Sequence, residues 1–356
     1  MTERSPLTAI PIVDVGEGGA RDYALSRREH ARALRDDCFG WMPGGVRRLM
    51  PVIDGVTRRW LARSCSPYVV EIETIAAAFG YSGIWFLNGC YQWGCTSLAR
   101  EQDGAPWLAR TLDWPFPGLG RRLEIARMRG AAGEFYNVGW PGYVGILTAV
   151  APGRFAAAIN QAPMWRRTRR PWLRPYDLAR NAMRTWCIRF IPPDHLLRDV
   201  FETCPSFDQA RHRIETTPIA RPAIYTLVGC KPGERCVIER TEEDFTTRVE
   251  HTAAANDWMR SAPPWEARVR ADLMFTRSYQ DCAANSRTRR ELAAAWTGRL
   301  QGRFDWVQPP VLNPYTRLAV EMCPATGALH AIGFENVGGA ELPQPATIAC
   351  TLPAVL

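Results

Sequence analysis

The chain has 356 residues, and its hydrophobic share of 46% is large enough for a substantial buried core. Its most apolar stretch, residues 68–89, contains Glu71 and Glu73, which excludes an uninterrupted membrane span of about 18 apolar residues. The net charge of +8 comes from 44 Lys and Arg against 36 Asp and Glu, with many arginines in residues 164–180. This run has no groove-reading motif, so we do not expect nucleic-acid binding. It fits a solvated loop, or a contact surface for an anionic ligand or a membrane.

The first 90 residues predict one strand followed by helices. The letters AIPIVDV, residues 9–15, are typical of a strand, and apolar residues recur at helical spacing over 23–37, 42–62 and 67–90. The N-terminus lacks the basic start and apolar centre of a secretory signal, so we expect a cytoplasmic protein. The eleven cysteines form no CxxC pair, which favours reduced thiols over a disulfide framework and predicts neither a metal site nor another cofactor.

The pattern changes to short β-type runs after residue 94. Six runs over 95–161 are separated by the turn signals DG, PG and APG, which is typical of a meandering antiparallel sheet. Helical spacing returns near 176–190, 194–203 and 206–216, followed by strands over 223–251, a helical stretch over 264–298 and a strand hairpin at 316–335. This order predicts helices on both sides of stacked sheets.

The letters GCTS, residues 94–97, raise the question of a reactive cysteine. Most cysteines are buried and inert, and none of the five histidines lies in a motif typical of a cysteine-protease base. If the Gly94–Cys95 bond is cut, however, Cys95 gains an α-amine whose ordinary pKa of about 7.7 to 8.0 lies close to neutral pH. That amine can accept the proton of its own thiol, so one residue supplies both nucleophile and base.

The segment LARTLDW, residues 108–114, offers two charged partners for this terminus. Arg110 and Asp113 follow the DG turn in a strand that we expect to pair with the strand beginning at Cys95. A carboxylate would orient the new ammonium, while a guanidinium would favour the thiolate and anchor a substrate carbonyl. The alternative is a surface ion pair worth about 0 to 1 kcal/mol.

These residues carry a resemblance to a known family. The stretch NGCYQWGCTSLAREQDGAPWLARTLDWPF, residues 88–116, resembles the processing site of the acid ceramidase and N-acylethanolamine acid amidase group, relatives of the choloylglycine hydrolases among the N-terminal nucleophile hydrolases. The similarity continues in consistent order to residue 298. It implies an α+β fold, a four-layer αββα sandwich of two antiparallel sheets between helical layers. It also implies a helical propeptide or α-subunit region at 1–94, integrated in one domain with a catalytic region at 95–356.

The resemblance further implies which residues form the site. Cys95 matches the nucleophile and new N-terminus, with Arg110 and Asp113 beside it. Asn256, in the letters AANDW, matches an asparagine that helps to form the oxyanion hole. The late arginine of the family matches Arg289, with Arg287 as the alternative because the local alignment is loose.

Two neighbouring residues are expected on the substrate or oxyanion side. Asn160 stands where the choloylglycine branch has asparagine and the ceramidase branch has aspartate. Gln161 stands where glutamate is expected in the ceramidase branch. These departures leave open the substrate-side role of Asn160 and the trigger of self-cleavage.

The reaction implied by the resemblance is hydrolysis of the linear amide bond of a hydrophobic N-acyl amide through a thioester, after self-cleavage before Cys95. One alternative is an acyltransferase that passes the acyl group to an amine. Another is a non-catalytic protein that binds a lipid or anionic ligand through residues 166–174. The expected partner is a small N-acyl amide, with transient membrane contact allowed and the oligomeric state open.

Overall fold

Two large β-sheets stack face to face, with helices packed on their outer sides. The structure, a computed structural model, describes residues 7–90, 94–266, 279–336 and 340–352. The helices in these ranges are α1 (Gly19–Ser26), α2 (Arg28–Trp41), α3 (Gly44–Ala62), α4 (Val69–Phe79), α5 (Ile84–Gly89), α6 (Arg174–Cys187), α7 (Pro193–Thr203), α8 (Phe207–Thr216) and α9 (Tyr279–Ala295).

The strands in the same ranges are β1 (Ile12–Gly16), β2 (Gly94–Gln102), β3 (Ala105–Asp113), β4 (Glu124–Gly130), β5 (Gly133–Gly139), β6 (Thr148–Ala151), β7 (Phe155–Gln161), β8 (Met164–Trp165), β9 (Ala223–Val228), β10 (Arg235–Arg240), β11 (Phe245–Arg248), β12 (Ala253–Ala254), β13 (Trp265–Glu266), β14 (Thr316–Cys323), β15 (Ala328–Glu335), β16 (Gln344–Pro345) and β17 (Cys350–Leu352). The first sheet has the order β1-β4-β5-β6-β7-β9-β10-β11. The second has the order β12-β2-β3-β14-β15-β16, with β17 also paired to β15, and β8 pairs with β13 separately.

The layers follow from the contacts between these elements. Strands β2 and β3 of the second sheet pack on β7 and β9 of the first, which creates the core between the sheets. Helices α7 and α8 pack against the first sheet, and α9 packs against β2 and β12 of the second. This arrangement confirms the predicted α+β fold.

The hairpin of β2 and β3 determines what lies beside the start of β2. Its loop consists of Asp103 and Gly104, whose φ angles of 53° and 76° suit the type I′ turn that joins twisted strands. Counting outward from this turn, the register places Asp113 opposite Gly94. A two-residue turn therefore brings a carboxylate beside the bond that precedes Cys95.

The strands of residues 95–161 do not form the single meander that their spacing predicted. Strands β2 and β3 belong to the second sheet, whereas β4 to β7 belong to the first. The chain changes sheets between Asp113 and Glu124, where Pro115 and Pro117 lack the N–H groups that would extend a ladder.

Most predicted helices are present, with shifted boundaries. The stretch 23–37 is split at Arg27 into α1 and α2, and the stretch 67–90 is split into α4 and α5 by Gly80 and Gly83, which both have positive φ. Helices α6 to α8 confirm the helices predicted near 176–190, 194–203 and 206–216, with small shifts at their ends. The predicted helix over 264–298 is wrong at Trp265 and Glu266, which form β13, and α9 covers Tyr279–Ala295. Residues 267–278 lie outside the described residues.

The arginine-rich run 164–180 is only partly a solvated surface. Arg166 and Arg174 are buried, and both form ion pairs with Glu266. Arg166 also lies 2.8 Å from Asp177, measured from Nε to Oδ2. The interpretation as a loop or contact surface is wrong for these two arginines, since buried carboxylates compensate their charges. The other arginines of the run are exposed.

Candidate active site

The two faces of the β2–β3 hairpin carry different groups. Because side chains alternate along a strand, Cys95 and Arg110 point toward the first sheet, while Thr96 and Asp113 point toward α9. Arg110 and Asp113 are three positions apart in β3, an odd spacing, so they approach the Gly94–Cys95 bond from opposite faces. The sequence predicted both beside the new terminus but did not distinguish these two directions.

The sulfur of Cys95 lies against a buried guanidinium. Arg110 Nη2 is 3.0 Å from Cys95 Sγ and also donates to the Ile159 carbonyl oxygen at 3.1 Å, while Nη1 donates to the Thr148 hydroxyl. Both Cys95 and Arg110 are fully buried. Burial raises the pKa of the Cys95 thiol, and the positive charge of Arg110 counteracts that rise. Burial outweighs Arg110, so the pKa of the thiol stays above its ordinary value, and Arg110 offsets part of the cost of forming the thiolate.

The backbone of Cys95 is held on both sides by residues from distant parts of the chain. Its N–H donates to Oδ1 of Asn256 at 2.9 Å, and its carbonyl oxygen accepts from Nη1 of Arg289 at 2.7 Å. Arg289 also donates to the Thr96 hydroxyl at 2.9 Å and to Asn256 Oδ1 at 3.0 Å. Of the two candidate arginines, the structure brings Arg289 to Cys95, whereas Arg287 lies on the exposed side of α9.

Asp113 lies against Gly94, on the other face of the hairpin from the sulfur. A Cβ atom on Gly94 would lie 3.3 Å from Oδ2 of Asp113 and 3.6 Å from Oδ1 of Asn256. The Asp113 carboxylate accepts a hydrogen bond from the Thr316 hydroxyl at 2.8 Å, and its Oδ2 lies 3.8 Å from Nη1 of Arg289. Burial raises the pKa of Asp113, and the charge of Arg289 opposes that rise. The space beside the bond thus admits glycine but no larger residue without displacement.

Asn160 and Gln161 form hydrogen bonds with residues around Cys95. The Nδ2 group of Asn160 donates to Ser97 Oγ at 3.1 Å and to the Ala255 carbonyl oxygen at 3.2 Å. The Gln161 carbonyl oxygen accepts from Nδ2 of Asn256 at 2.7 Å. Both residues therefore hold the segment that carries Asn256 against β2 and β7. The carbonyl oxygens of their side chains are buried and have no hydrogen-bond partner among the described residues.

Sequence reasoning missed several hydroxyl groups that orient these side chains. Ser286 accepts from the Asn256 N–H at 2.8 Å, Thr148 binds Arg110, and Thr316 binds Asp113. Ser286 and Thr148 lie on elements remote in sequence, so no local signal marks them. The turn letters NPYT, residues 313–316, are a local signal for Thr316.

An apolar cleft lies between α2, α5 and the segment that follows β3. Its empty volume is about 540 Å³, part of which opens to solvent. Its lining includes Leu34, Phe39, Met42, Phe86, Trp114 and Phe116. Trp114 of this lining directly follows Asp113 in the chain, but none of the candidate site residues lines the cleft. Its cavity volume in this structure is about 50 Å³, so an extended hydrocarbon group would enter only if the cleft widened.

The described residues contain no group of three or more His, Cys, Asp or Glu side chains that could hold a metal ion. In the same ranges, no helix is both long enough and apolar enough to cross a membrane. The candidate site consists of a thiol, two guanidinium groups, a carboxylate and an amide.

Two groups of curated proteins are similar to this chain. An N-acylethanolamine-hydrolyzing acid amidase of Oryctolagus cuniculus is 26% identical over 185 residues, covering 50% of this chain and 48% of that protein. An acid ceramidase of Balaenoptera acutorostrata scammoni is 30% identical over 239 residues, covering 62% of this chain and 58% of that protein. The matched region of the amidase is therefore about half of its length. No protein-family model matches the chain.

Solved structures with a similar course of the chain include a Caenorhabditis elegans ortholog of N-acylethanolamine-hydrolyzing acid amidase. It has a TM-score of 0.46 and 15% identity, and the match covers 65% of this chain and 93% of that one. A conjugated bile acid hydrolase of Clostridium perfringens has a TM-score of 0.40 and 11% identity, covering 73% and 92%. The sequence matches confirm the resemblance expected from the motifs around Cys95: the chain is a relative of the acid ceramidases and the N-acylethanolamine-hydrolyzing acid amidases.

Proposed function

We propose that this protein is a self-processed cysteine hydrolase that cleaves the linear amide bond of a hydrophobic N-acyl amide. The observation that carries the proposal is the convergence on Cys95, whose sulfur lies 3.0 Å from Arg110 Nη2 and whose nitrogen lies 2.9 Å from Asn256 Oδ1. A nucleophile, a cation and an amide meet at one strand end directly after a glycine. The name of the similar amidase, which hydrolyses N-acylethanolamines, supports the class of reaction.

Processing is the first step of the proposed mechanism. The Cys95 sulfur attacks the carbonyl carbon of Gly94, and the C–N bond breaks as the acyl group moves from nitrogen to sulfur. Water then hydrolyses the thioester, which leaves a carboxylate on Gly94 and a free amine on Cys95. Arg110 favours the thiolate, while Asn256 and Arg289 hold the nitrogen and the carbonyl oxygen of Cys95. The chain becomes a 1–94 and a 95–356 subunit.

The new amine is the base for substrate turnover. It takes the proton of the Cys95 thiol, and the thiolate attacks the acyl carbon of the substrate. The amine then returns the proton to the leaving nitrogen, and water cleaves the thioester to release a carboxylic acid. One Asn256 Nδ2 hydrogen is bound to the Gln161 carbonyl oxygen, so the second remains for the oxyanion, together with backbone N–H groups.

The substrate class is supported by the apolar cleft. Its lining combines residues of the proposed 1–94 subunit, such as Phe39 and Met42, with Trp114 and Phe116 of the proposed catalytic subunit. A linear acyl chain placed there would be desolvated by aromatic and aliphatic side chains. Its carbonyl end must reach the Cys95 sulfur, which lies on the opposite face of the hairpin from Asp113.

Intact mass and N-terminal sequencing of the purified protein test the processing step. The wild type should yield two chains, one beginning at Cys95, and should hydrolyse N-acyl amides of increasing chain length. Cys95→Ala should remain a single chain and lose turnover. Cys323→Ala, which changes a fully buried cysteine of β14 in the same sheet, is the matched control and should be processed.

The same assay distinguishes the alternatives. Transfer of the acyl group to an added amine, in excess over the free acid, would assign an acyltransferase. An uncut chain that hydrolyses amides at the wild-type rate after Cys95→Ala would overturn the mechanism. An uncut, inactive wild type that binds N-acyl amides with a salt-dependent affinity would indicate a binding protein instead.

A further inference from the structure

We propose that Thr316 is a positioning residue that holds the Asp113 carboxylate in the orientation required at the Gly94–Cys95 bond. The inference rests on the proposed function, since it assigns a role within that site. Thr316 touches neither the sulfur nor the scissile bond, and it acts through Asp113. Its hydroxyl is fully buried and lies 2.8 Å from Oδ1 of Asp113.

A β-turn over residues 313–316 positions the Thr316 hydroxyl. The letters NPYT place asparagine first and proline second, as β-turns favour, and the Thr316 N–H donates to the Asn313 carbonyl oxygen at 2.9 Å. The Tyr315 N–H donates to Oδ1 of Asn313 at 3.0 Å, which closes the turn a second time. The Asn313 N–H in turn donates to Oγ1 of Thr316 at 3.0 Å. The turn therefore fixes the position of Oγ1 through hydrogen bonds within residues 313–316.

The direction of the hydroxyl proton follows from this contact. A hydroxyl group has one hydrogen to donate, and Oγ1 already accepts from the Asn313 N–H. Two acceptors are within reach, Oδ1 of Asp113 at 2.8 Å and the Val311 carbonyl oxygen at 3.4 Å. The shorter, charge-assisted bond to Asp113 is the stronger one. Thr316 is therefore a donor to the carboxylate.

A β-bulge in β14 places Thr316 opposite Asp113. Thr316 lies opposite Asp113 and Leu318 lies opposite Leu112, so Arg317 is an extra residue in β14. Bulges redirect side chains and are frequent beside active sites. The side chain of Arg317 leaves the ladder and binds the backbone after β3, so the bulge itself is anchored. Without the extra residue, the position opposite Asp113 would carry a different side chain.

Fixing one oxygen of Asp113 determines where the other points. With Oδ1 bound to Thr316, Oδ2 faces Gly94, where an added Cβ would lie 3.3 Å away. The amine created by cleavage belongs on this side, because its nitrogen is already bound to Asn256. A carboxylate without the hydroxyl could rotate about its last torsion, which is soft in aspartate. Thr316 restricts that rotation together with the side chain of Asn313, which also hydrogen-bonds the carboxylate.

The test compares Thr316→Val with Thr316→Ser, which restores the hydroxyl. Thr111→Val is the matched control, since Thr111 is a buried threonine of β3 whose hydroxyl has no partner among the described residues. Processing is followed by intact mass, and kcat/KM of processed protein is measured from pH 4 to 9. We expect Thr316→Val to process and turn over roughly 10- to 100-fold more slowly, as fits the loss of one hydrogen bond to a charged group. Thr316→Ser should remain within about threefold of wild type, since it keeps that bond.

The pH profile separates positioning from a structural role. The titratable and charged groups around Asp113 are Arg289 of α9, Arg110 of β3, Arg317 of β14 and the Cys95 thiol of β2, and the Thr316 substitutions change none of them. Burial raises the pKa of Asp113, and the charge of Arg289 and the hydrogen bonds of Asn313 and Thr316 oppose that rise, so loss of the Thr316 bond should move the acid limb of the profile upward. In an Asp113→Asn background the same substitution should have little further effect on rate. An unshifted acid limb, or full additivity with Asp113→Asn, would overturn the inference.

Two further variants, Thr316→Ala and Cys95→Ala, separate misfolding and failure of the proposed function from failure of the role of Thr316. If Thr316→Val does not fold, Thr316→Ala removes the same hydroxyl without adding a methyl group, and its pH profile replaces that of the valine variant. If Cys95→Ala is as active as wild type, the proposed function fails. If Cys95→Ala is inactive while the profile of Thr316→Val matches Thr111→Val, only the role of Thr316 fails.

Discussion

Substituting Arg110 by glutamine tests the electrostatic basis of the nucleophile. Its guanidinium lies 3.0 Å from the Cys95 sulfur, and both groups are fully buried. Burial raises the pKa of the thiol, and Arg110 is the first of the influences that oppose the rise. A hydrogen bond to a charged group contributes about 1.5 to 3 kcal/mol, which corresponds to about one to two pKa units. The thiolate fraction at neutral pH should therefore fall about 10- to 150-fold.

The assay follows the Cys95 thiolate directly. Processed protein is treated with iodoacetamide between pH 5 and 10, and alkylation of the N-terminal peptide is measured by mass spectrometry. The midpoint should move to higher pH in Arg110→Gln, and the rate of amide hydrolysis should fall by the same factor. Arg240→Gln is the matched control, because Arg240 is a fully buried arginine of β10 that binds carbonyl oxygens.

The comparison with Arg240 separates charge from stability. Both variants lose buried hydrogen bonds, so both should unfold at lower temperature than wild type. Only Arg110→Gln should change the alkylation midpoint. Equal midpoints in the two variants, with equal losses of melting temperature, would show that Arg110 supports the fold and does not tune the sulfur.

Three further outcomes follow from the same geometry. Gly94→Val should block chain cleavage seen by intact mass, because its Cβ meets Asp113 at 3.3 Å, whereas Gly40→Val, with nothing within 4 Å, should be cleaved normally. Arg289→Met should abolish cleavage and lower the unfolding free energy, measured by urea titration, by about 3 kcal/mol. Arg287 is exposed, so Arg287→Met should change the unfolding free energy by less than about 0.5 kcal/mol. Burial lowers the pKa of His195 in the folded state. As the pH falls below the ordinary histidine pKa, the unfolded state therefore binds a proton before the folded state does. The unfolding free energy should therefore fall as pH drops below about 6.5, by at most 1.4 kcal/mol per unit, and His195→Gln should flatten this slope.

The part of the site that sequence could predict is the part encoded by one hairpin. The DG turn sets the register, the register places Asp113 opposite Gly94, and strand alternation places Arg110 on the face of the sulfur. Each step needs only neighbouring residues. Helices α6 and α7 were equally predictable, because apolar spacing and a proline in the first turn mark them.

The remaining part depends on long-range packing. Asn256 reaches Cys95 because β12 pairs with β2, and Arg289 reaches it because α9 packs on the same strand. A turn asparagine and a helix arginine carry no local sign of either contact, and only the family resemblance indicated them. The change of sheet after Asp113 was missed for the same reason, since strand patterns do not reveal which sheet a strand joins.

Burial of the Cys95 sulfur in the intact chain is consistent with a site assembled before cleavage. The contacts of Asn256 and Arg289 are to the backbone nitrogen and oxygen of Cys95, and cutting the bond before it removes neither atom. What changes is charge, because a neutral amide becomes an amine beside Asp113. Burial raises the pKa of Asp113 in the uncut chain, and an arriving ammonium would lower it. Cleavage would therefore stabilise the Asp113 carboxylate, because the new ammonium is its ion-pair partner. The charge that processing creates thus favours the carboxylate that orients the new base.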